Sequence, residues 1–278
     1  MTPNEIKALV SLLDDTDVEI SNHVEKEIKN LGDEVIPFLE NHWEENAFNS
    51  PLQKRLENLI HELQYDNFVG GLQDWKENRQ HDLLEGMWLV AKYQYPDLEF
   101  QTIKKEINQI YFDAWHKLRE NIHPKDAVDI LNHVFFDKHK FSANTKNFHS
   151  PSNSLINQVI ETKRGNPISL CVIYLLVAQR LGLPIFGVNL PSLFILTYKS
   201  KQTQFYVNIF NKGLIFNKKD IDTYLKQMQL EPKDMFYEPC SNLEIVRRSL
   251  LNLMFAFKRS AETAKVDEVR FIYEKLGQ

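Results

Sequence analysis

Hydrophobic residues recur every three or four positions over most of the chain, which is the spacing of one face of an α-helix. The pattern is clear in the segments HDLLEGMWLVAKYQY, IKKEINQIYFDAWHKLRE and PKDAVDILNHVFF. It returns from Lys219 onward and ends in a predicted helix pair over 242–278. The sequence therefore predicts a mostly helical protein.

The pattern changes in the middle of the chain. Gly165-Asn166-Pro167 interrupts it, and the stretch from Ile168 to Leu181 is almost entirely apolar, as in a helix that is buried on all sides. Three short runs rich in β-branched and aromatic residues follow, FGVNL, FILTY and QFYVNIF, and Asn211-Lys212-Gly213 makes a tight turn into LIF. These features predict an α+β fold in which a buried helix precedes a small antiparallel sheet.

The first part of the chain carries helix start signals. Thr2-Pro3-Asn4-Glu5, Thr16-Asp17-Val18-Glu19 and Ser50-Pro51-Leu52-Gln53 each place a capping hydroxyl three residues before a Glu or Gln. Gly32 is a helix stop, and Pro37 suits the first turn of the next helix. Three helices are therefore expected to begin at Thr2, Thr16 and Ser50.

The segment LLDDTDVEISNHVEKEIKNLGDEVIPFLENHW resembles a HEAT-type repeat, a helix pair that buries one face against its neighbours. One such pair has little to bury by itself, so we expect it to dock on the following domain. The predicted organisation is a HEAT-like helical region over 1–64, a core over 65–235 and a C-terminal helical extension over 236–278.

Composition narrows the class of protein further. With 9 Gly and 11 Pro the chain is poor in the turn residues that an all-β protein needs. Two cysteines, Cys171 and Cys240, make no disulfide framework, and no signal-peptide pattern opens the chain at MTPNEIKALV, so we expect a cytoplasmic protein. The longest apolar run, Leu170 to Ala178, is far shorter than the roughly 20 residues of a membrane span. No membrane span is expected.

Charge is unevenly distributed along the chain. Residues 1–64 hold 14 acidic and 5 basic side chains, whereas the whole chain has a net charge of −5. Lys and Arg do not cluster with aromatic residues, so we expect no nucleic-acid partner. His133, Asp137 and His139 are the nearest approach to a metal cluster, and no His pair has i, i+4 spacing. Neither a metal nor another cofactor is expected.

The residues RGNPISL lead into CVIYLLVAQRLGLP and are followed by GVNLPSLFILTY and FYVNIFNKG. Together they strongly resemble the SirB-type bacterial transglutaminase-like family over roughly residues 80–235. The resemblance implies a transglutaminase-like core, related to the papain-like fold. In such cores a nucleophile lies at the start of the buried helix, a His lies on the following strand, and an Asp or Asn on the next strand orients that His.

Carried over onto this chain, the resemblance places the nucleophile end at 167–169, which includes Ser169, the His position at Leu193, and the third member at Asn208. Cys171 lies further into the helix, within the apolar run. Leu193 cannot act as a base, and Asn208 has no imidazole to orient. Ser169, Cys171, Leu193 and Asn208 are therefore read as vestigial positions of a lost catalytic triad.

The histidines support this reading without any appeal to the family. All nine precede the buried helix, so a nucleophile, His, Asn order along the chain is excluded. Only an upstream base remains, and His149 is the best placed, followed by His133 and His139.

The leading hypothesis is a non-catalytic binding or regulatory module for a protein or peptide partner, a pseudoenzyme. The alternative is a cysteine hydrolase or acyl-transferase that uses Cys171 with an upstream His. That alternative needs a thiolate, and an apolar helix interior raises the pKa of a thiol.

Overall fold

The structure is a computed structural model that describes residues 1–15 and 17–278. It forms two compact units, Met1–Gly71 and Leu72–Gln278. Each unit is described by itself below. The domain boundaries predicted at 64/65 and 235/236 stay predictions.

The first unit is helical throughout its regular structure. Its helices are α1 (Pro3–Ser11), α2 (Val18–Leu31), α3 (Ile36–Glu45) and α4 (Ser50–Asp74), which runs past the end of the unit, with 3-10 turns at Leu12–Asp14 and Gly32–Val35. Their apolar faces meet in one core of Ile6, Val10, Leu13, Val24, Ile28, Val35, Leu39, Leu52, Leu56, Leu59 and Leu63. The repeat-like pair therefore shares its core with α1 and α4 within this unit. The proposed docking on the following domain stays a prediction.

The predicted capping box at the start of α1 is confirmed. Thr2 Oγ1 accepts a hydrogen bond from Glu5 N at 3.4 Å, and Glu5 Oε2 accepts one from Thr2 N at 2.8 Å. Gly32 ends α2 as predicted, with a positive φ of 67° that favours glycine.

The other two predicted helix starts have different capping residues from those expected. Thr16, the predicted cap of α2, lies outside the described residues, and the side chain that caps this helix is Asp17, which accepts from Glu19 N at 2.9 Å. Ser50 is already the first helical residue of α4, and the group that accepts from the first turn is the side chain of Asn49. Asn is at least as good an N-cap as Ser, so the start moves back by one residue.

The second unit also consists mainly of helices. They are α5 (Leu83–Lys92), α6 (Phe100–Trp115), α7 (Pro124–Asn132), α8 (Ile156–Thr162), α9 (Pro167–Arg180), α10 (Lys218–Gln227), α11 (Asn242–Arg259) and α12 (Thr263–Lys275). Two π-helical stretches, Trp75–Arg79 and His133–Lys138, follow α4 and α7 directly, and 3-10 turns lie at Pro151–Ser154, Ile209–Asn211 and Asp234–Phe236. None of the described helices is both long and apolar enough to cross a membrane.

A four-stranded antiparallel sheet follows α9 in the order of the chain. Two short strands, β1 (Ser142–Ala143) and β2 (Arg164–Gly165), form a separate parallel pair. The sheet contains β3 (Ile185–Leu190), β4 (Leu193–Lys199), β5 (Gln204–Asn208) and β6 (Leu214–Phe216). In its register Leu190 is opposite Leu193, and Asn189 is opposite Phe194. The predicted fold class, a mostly helical α+β protein with a small antiparallel sheet, is confirmed.

Helix α9 is the buried helix that the apolar run predicts. Asn166 caps it, Pro167 is its first residue, and its buried residues are Ile168 to Leu175, Val177 and Ala178. The predicted end at Leu181 is one residue too late, because Leu181 is the C-cap.

Tyr174 is the only tyrosine of α9 and is fully buried. Its hydroxyl donates to Asn132 Oδ1 at 3.0 Å. The amide of Asn132 in turn donates to the carbonyl of Gly213 at 3.2 Å. A polar link therefore joins α7, α9 and the turn before β6.

Helix α11 packs against α5, α9, the 3-10 turn Pro151–Ser154 and α12. It begins with a capping box in which Ser241 Oγ accepts from Glu244 N and Glu244 Oε2 accepts from Ser241 N. Its buried face carries Ile245, Val246, Ser249, Leu250, Leu253, Ala256 and Phe257. The predicted terminal helix pair is thus present as α11 and α12.

Candidate functional site

The start of α9, where the resemblance places a nucleophile, is closed by its own hydrogen bonds. Asn166 Oδ1 accepts from Ser169 N at 3.0 Å, and Asn166 Nδ2 donates to Ser154 Oγ at 2.9 Å. Ser169 Oγ donates to Asn166 O at 3.2 Å and is only 1% exposed. A Cβ at Gly165 would lie 2.4 Å from that oxygen, so the backbone also covers it. The hydroxyl of Ser169 is therefore part of the helix cap rather than an exposed nucleophile.

Cys171 lies inside the core and has no solvent exposure. Its Sγ donates a weak hydrogen bond to the carbonyl of Phe194 at 3.6 Å. Burial raises the pKa of the Cys171 thiol far above its usual range. Burial also raises the pKa of Cys240 to about 12. Neither thiol is activated, because the reactive form of cysteine is the thiolate.

Leu193 and Asn208 have structural contacts of their own. Leu193 packs against an apolar cluster built by β3, β4, β5 and α10, which includes Leu190 and Ile195. Asn208 ends β5 and caps the next turn, where its Oδ1 accepts from Asn211 N at 3.1 Å. Neither side chain lines the groove described next.

A groove with a volume of about 430 Å³ opens beside the start of α9. One wall is formed by the approach loop at 148–150 and by Ser154, and the floor by 166–168 together with Ser192 and Phe194. Another wall is one face of α11, with Arg248, Leu251, Asn252, Phe255, Ala256 and Arg259. We call this feature the α11 groove.

The lining of the α11 groove is basic. Arg248 and Arg259 lie on it, and it contains no Asp or Glu. Arg248 Nη1 donates to Asn189 Oδ1 at 3.2 Å, while its Nε is buried and has no hydrogen-bond partner within the described part of the chain. Burial lowers the pKa of the Arg248 guanidinium, which still remains charged at neutral pH.

His149, the best candidate base from the sequence, lies on the groove but not beside a thiol. Its ring is exposed and makes an edge contact with Phe148 at 5.0 Å between centroids. Cys171 does not line the groove, and its Sγ bonds to the backbone of Phe194. The structure therefore does not bring His149 and Cys171 together.

The other two candidate histidines are each hydrogen-bonded to a carboxylate. His133 Nδ1 lies 2.9 Å from Asp137 Oδ2, and His139 Nε2 lies 2.8 Å from Asp113 Oδ2. Within residues 1–15 and 17–278, no group of three or more His, Cys, Asp and Glu side chains has the arrangement of a metal site.

The α11 wall of the groove is what sequence reasoning missed. Arg248, Asn252, Phe255 and Arg259 have spacings of four, three and four residues, which place them on one helix face. That stripe was a usable signal, because a helix face with a Phe between two Arg is not the uniformly apolar face of a core helix.

A comparison with known protein families identifies the same helix and sheet. A family model described as the transglutaminase-like superfamily matches residues 101–251, more than half of the chain. The chain belongs to the transglutaminase-like superfamily. The matched segment begins in α6 and ends in α11, and it contains α9 and the whole four-stranded sheet.

Individual relatives are similar over part of their length. A UPF0162 protein of Xylella fastidiosa (strain Temecula1 / ATCC 700964) is 34% identical over 132 residues, which is 47% of each chain. The UPF0162 protein YchA of Escherichia coli (strain K12) is 25% identical over 183 residues, 64% of this chain and 67% of YchA. F-box only protein 21 of Mus musculus is 29% identical over 176 residues, 55% of this chain and 27% of that protein. The chain spans about half the length of the first of these curated relatives. No solved structure matches the chain significantly.

Proposed function

We propose that this chain is a non-catalytic transglutaminase-like protein of the SirB type that binds a protein or peptide partner in the α11 groove. The observation that carries the proposal is the separation of the groove from both cysteine thiols and from Ser169, none of which lines it. The groove stays open to a ligand, whereas the positions that correspond to the triad are used for capping and packing.

At each position that corresponds to the triad, the side chain has a structural contact that argues against catalysis. Ser169 is held by the cap of α9, Cys171 is buried as a thiol, and Leu193 belongs to an apolar cluster. A general base has to lie within hydrogen-bond reach of the proton that it removes. His149 has no such contact with a thiol or with Ser169. A regulatory role in the cytoplasm fits this proposal.

The length of the groove favours a peptide over a small ion. Arg248 and Arg259 are eleven residues apart on α11, so their Cα atoms are separated by about 16 Å along the helix axis. An extended peptide rises about 3.3 Å per residue, so about five residues span that distance. Two exposed aromatic rings, Phe148 and Phe255, give such a segment apolar contacts.

A peptide selection tests the proposal. A phage library of random peptides is selected on the immobilised full chain, and the affinities of the enriched peptides are measured for variants of Phe255 and Phe271. Both are exposed helical phenylalanines, but only Phe255 lies on the groove. We expect Phe255→Ala to weaken binding at least tenfold and Phe271→Ala to change it less than twofold, since a buried aromatic contact contributes more than 1 kcal/mol.

Two outcomes would contradict the proposal. Peptides that bind equally well to Phe255→Ala would place the binding surface elsewhere. Hydrolysis or acyl transfer on an enriched peptide or on a generic amide or ester, abolished by Cys171→Ala, would establish the cysteine enzyme instead.

A further inference from the structure

We infer that the α11 groove selects an acidic peptide segment, in which one carboxylate pairs with Arg248, a second pairs with Arg259, and an apolar side chain lies between them against Phe255. This inference rests on the proposed function, because it specifies the chemistry of the partner that the groove binds.

The lining of the groove is positively charged, although the chain as a whole has a negative net charge. The protein has 38 acidic and 33 basic side chains and a net charge of −5. The groove nevertheless contains two arginines and no carboxylate. Because the lining has no acidic group of its own, a negatively charged ligand meets complementary charge there and a positively charged one is repelled.

Arg248 is the stronger of the two anchors because it is partly buried, whereas Arg259 is exposed, and because the protein does not neutralise its charge. Within the described residues no carboxylate lies within ion-pair distance of it, and its one hydrogen bond goes to the neutral amide of Asn189. After burial, the groups that act on its pKa are the hydroxyls of Tyr224 and Tyr273. A partly buried cation with a buried Nε that lacks a partner is unfavourable. A ligand carboxylate in the groove supplies the missing negative charge and a hydrogen-bond acceptor for the Arg248 guanidinium.

Arg259 and Phe255 set the length and pattern of the segment. Arg259 is an exposed residue of the groove lining and has no ion-pair partner among the described residues. Phe255 lies between the two arginines on the same face of α11 and is 57% exposed. An arginine fork binds a carboxylate through two parallel hydrogen bonds, which favours acidic side chains or a terminal carboxylate over neutral amides. The spacing fits acidic groups about five residues apart in an extended chain.

The experiment compares matched peptides on the full chain. Enriched peptides from the selection are synthesised with a fluorescein label, together with versions in which every Asp and Glu is replaced by Asn or Gln, and binding is followed by fluorescence anisotropy. We expect the selected peptides to be richer in Asp and Glu than the input library. We expect the neutral versions to bind at least tenfold more weakly, with the difference decreasing as the salt concentration rises.

Matched variants test the position of the charge. Arg259→Glu and Lys258→Glu change the net charge of the chain equally at adjacent exposed residues, but Lys258 does not line the groove. We expect Arg259→Glu to weaken binding at least tenfold and Lys258→Glu to weaken it less than threefold. Arg248→Gln, with a thermal melt to confirm the fold, should behave like Arg259→Glu.

Several results would overturn the inference. The inference is wrong if neutral peptides bind as tightly as acidic ones and their binding still depends on Phe255. In that case the proposed function stands. If Arg259→Glu and Lys258→Glu weaken peptide binding equally, the effect comes from the net charge of the chain and not from a carboxylate contact in the groove. Tighter binding of a labelled single-stranded oligonucleotide than of the acidic peptides would assign the groove to phosphate groups instead. If every selected peptide binds Phe255→Ala as tightly as the native chain, both the proposed function and the inference are wrong.

Discussion

The burial of Cys171 gives a sharp chemical prediction for the native protein. We expect iodoacetamide to alkylate Cys171 far more slowly than a free thiol at neutral pH. The sulfur has no exposed surface, and burial raises the pKa of its thiol, so the reaction has to wait for the structure to open. Folded domains are stable by about 5–15 kcal/mol, and each 1.4 kcal/mol is a factor of ten. Even a local opening that costs about 4 kcal/mol slows alkylation roughly a thousandfold.

Mass spectrometry of tryptic peptides after timed alkylation measures this directly. Cys240 is an internal comparison in the same chain, because it is half-buried and its pKa is raised to about 12. We expect it to react more slowly than glutathione and faster than Cys171. The reasoning is refuted if Cys171 reacts at the rate of a free thiol while circular dichroism shows an intact fold. If that reactivity is lost in His149→Ala, the two residues form an active pair and the enzyme reading is correct.

Three further predictions concern stability. Tyr174→Phe should lower the free energy of unfolding by about 1–2 kcal/mol in urea titrations, because it removes a buried hydroxyl and leaves Asn132 Oδ1 without that donor. Tyr174→Asp should prevent folding, and a stable Asp variant would disprove the burial of this position. Burial opposes ionisation of Asp113, but hydrogen bonds from Lys138 and His139 dominate and lower its pKa. The stability advantage of the native chain over Asp113→Asn should therefore be present above about pH 4 and decline as the pH falls further. Thermal melts from pH 2.5 to 7 that show a constant difference would contradict this.

The core of the second unit was predictable because its signals are local. The apolar run that forms α9, the break at Gly165-Asn166-Pro167 and the turn at Asn211-Lys212-Gly213 each lie within a few residues of sequence. Strand propensity and turn residues then define an antiparallel sheet without any knowledge of distant contacts.

The groove was not predictable because its two walls are far apart in sequence. The approach loop near Phe148 and the α11 face near Phe255 are more than 100 residues apart, and only the tertiary fold brings them together. The burial of Ser169 was equally hidden, since it depends on the close approach of the Gly165 backbone. In the first unit, α1 and α4 supply apolar residues such as Ile6 and Leu56 that the repeat-like pair does not have.

The link from Tyr174 through Asn132 to Gly213 has a consequence for how this sequence can diverge. Gly213 has a φ of 73°, and a Cβ there would lie 2.1 Å from Asn132 Oδ1. A larger residue at 213 is therefore accepted only with a smaller one at 132, and the tyrosine hydroxyl then keeps only the carbonyl of Val128, 3.3 Å away, as its acceptor. The three positions, on α7, on α9 and in the turn before β6, should change together during evolution rather than one at a time.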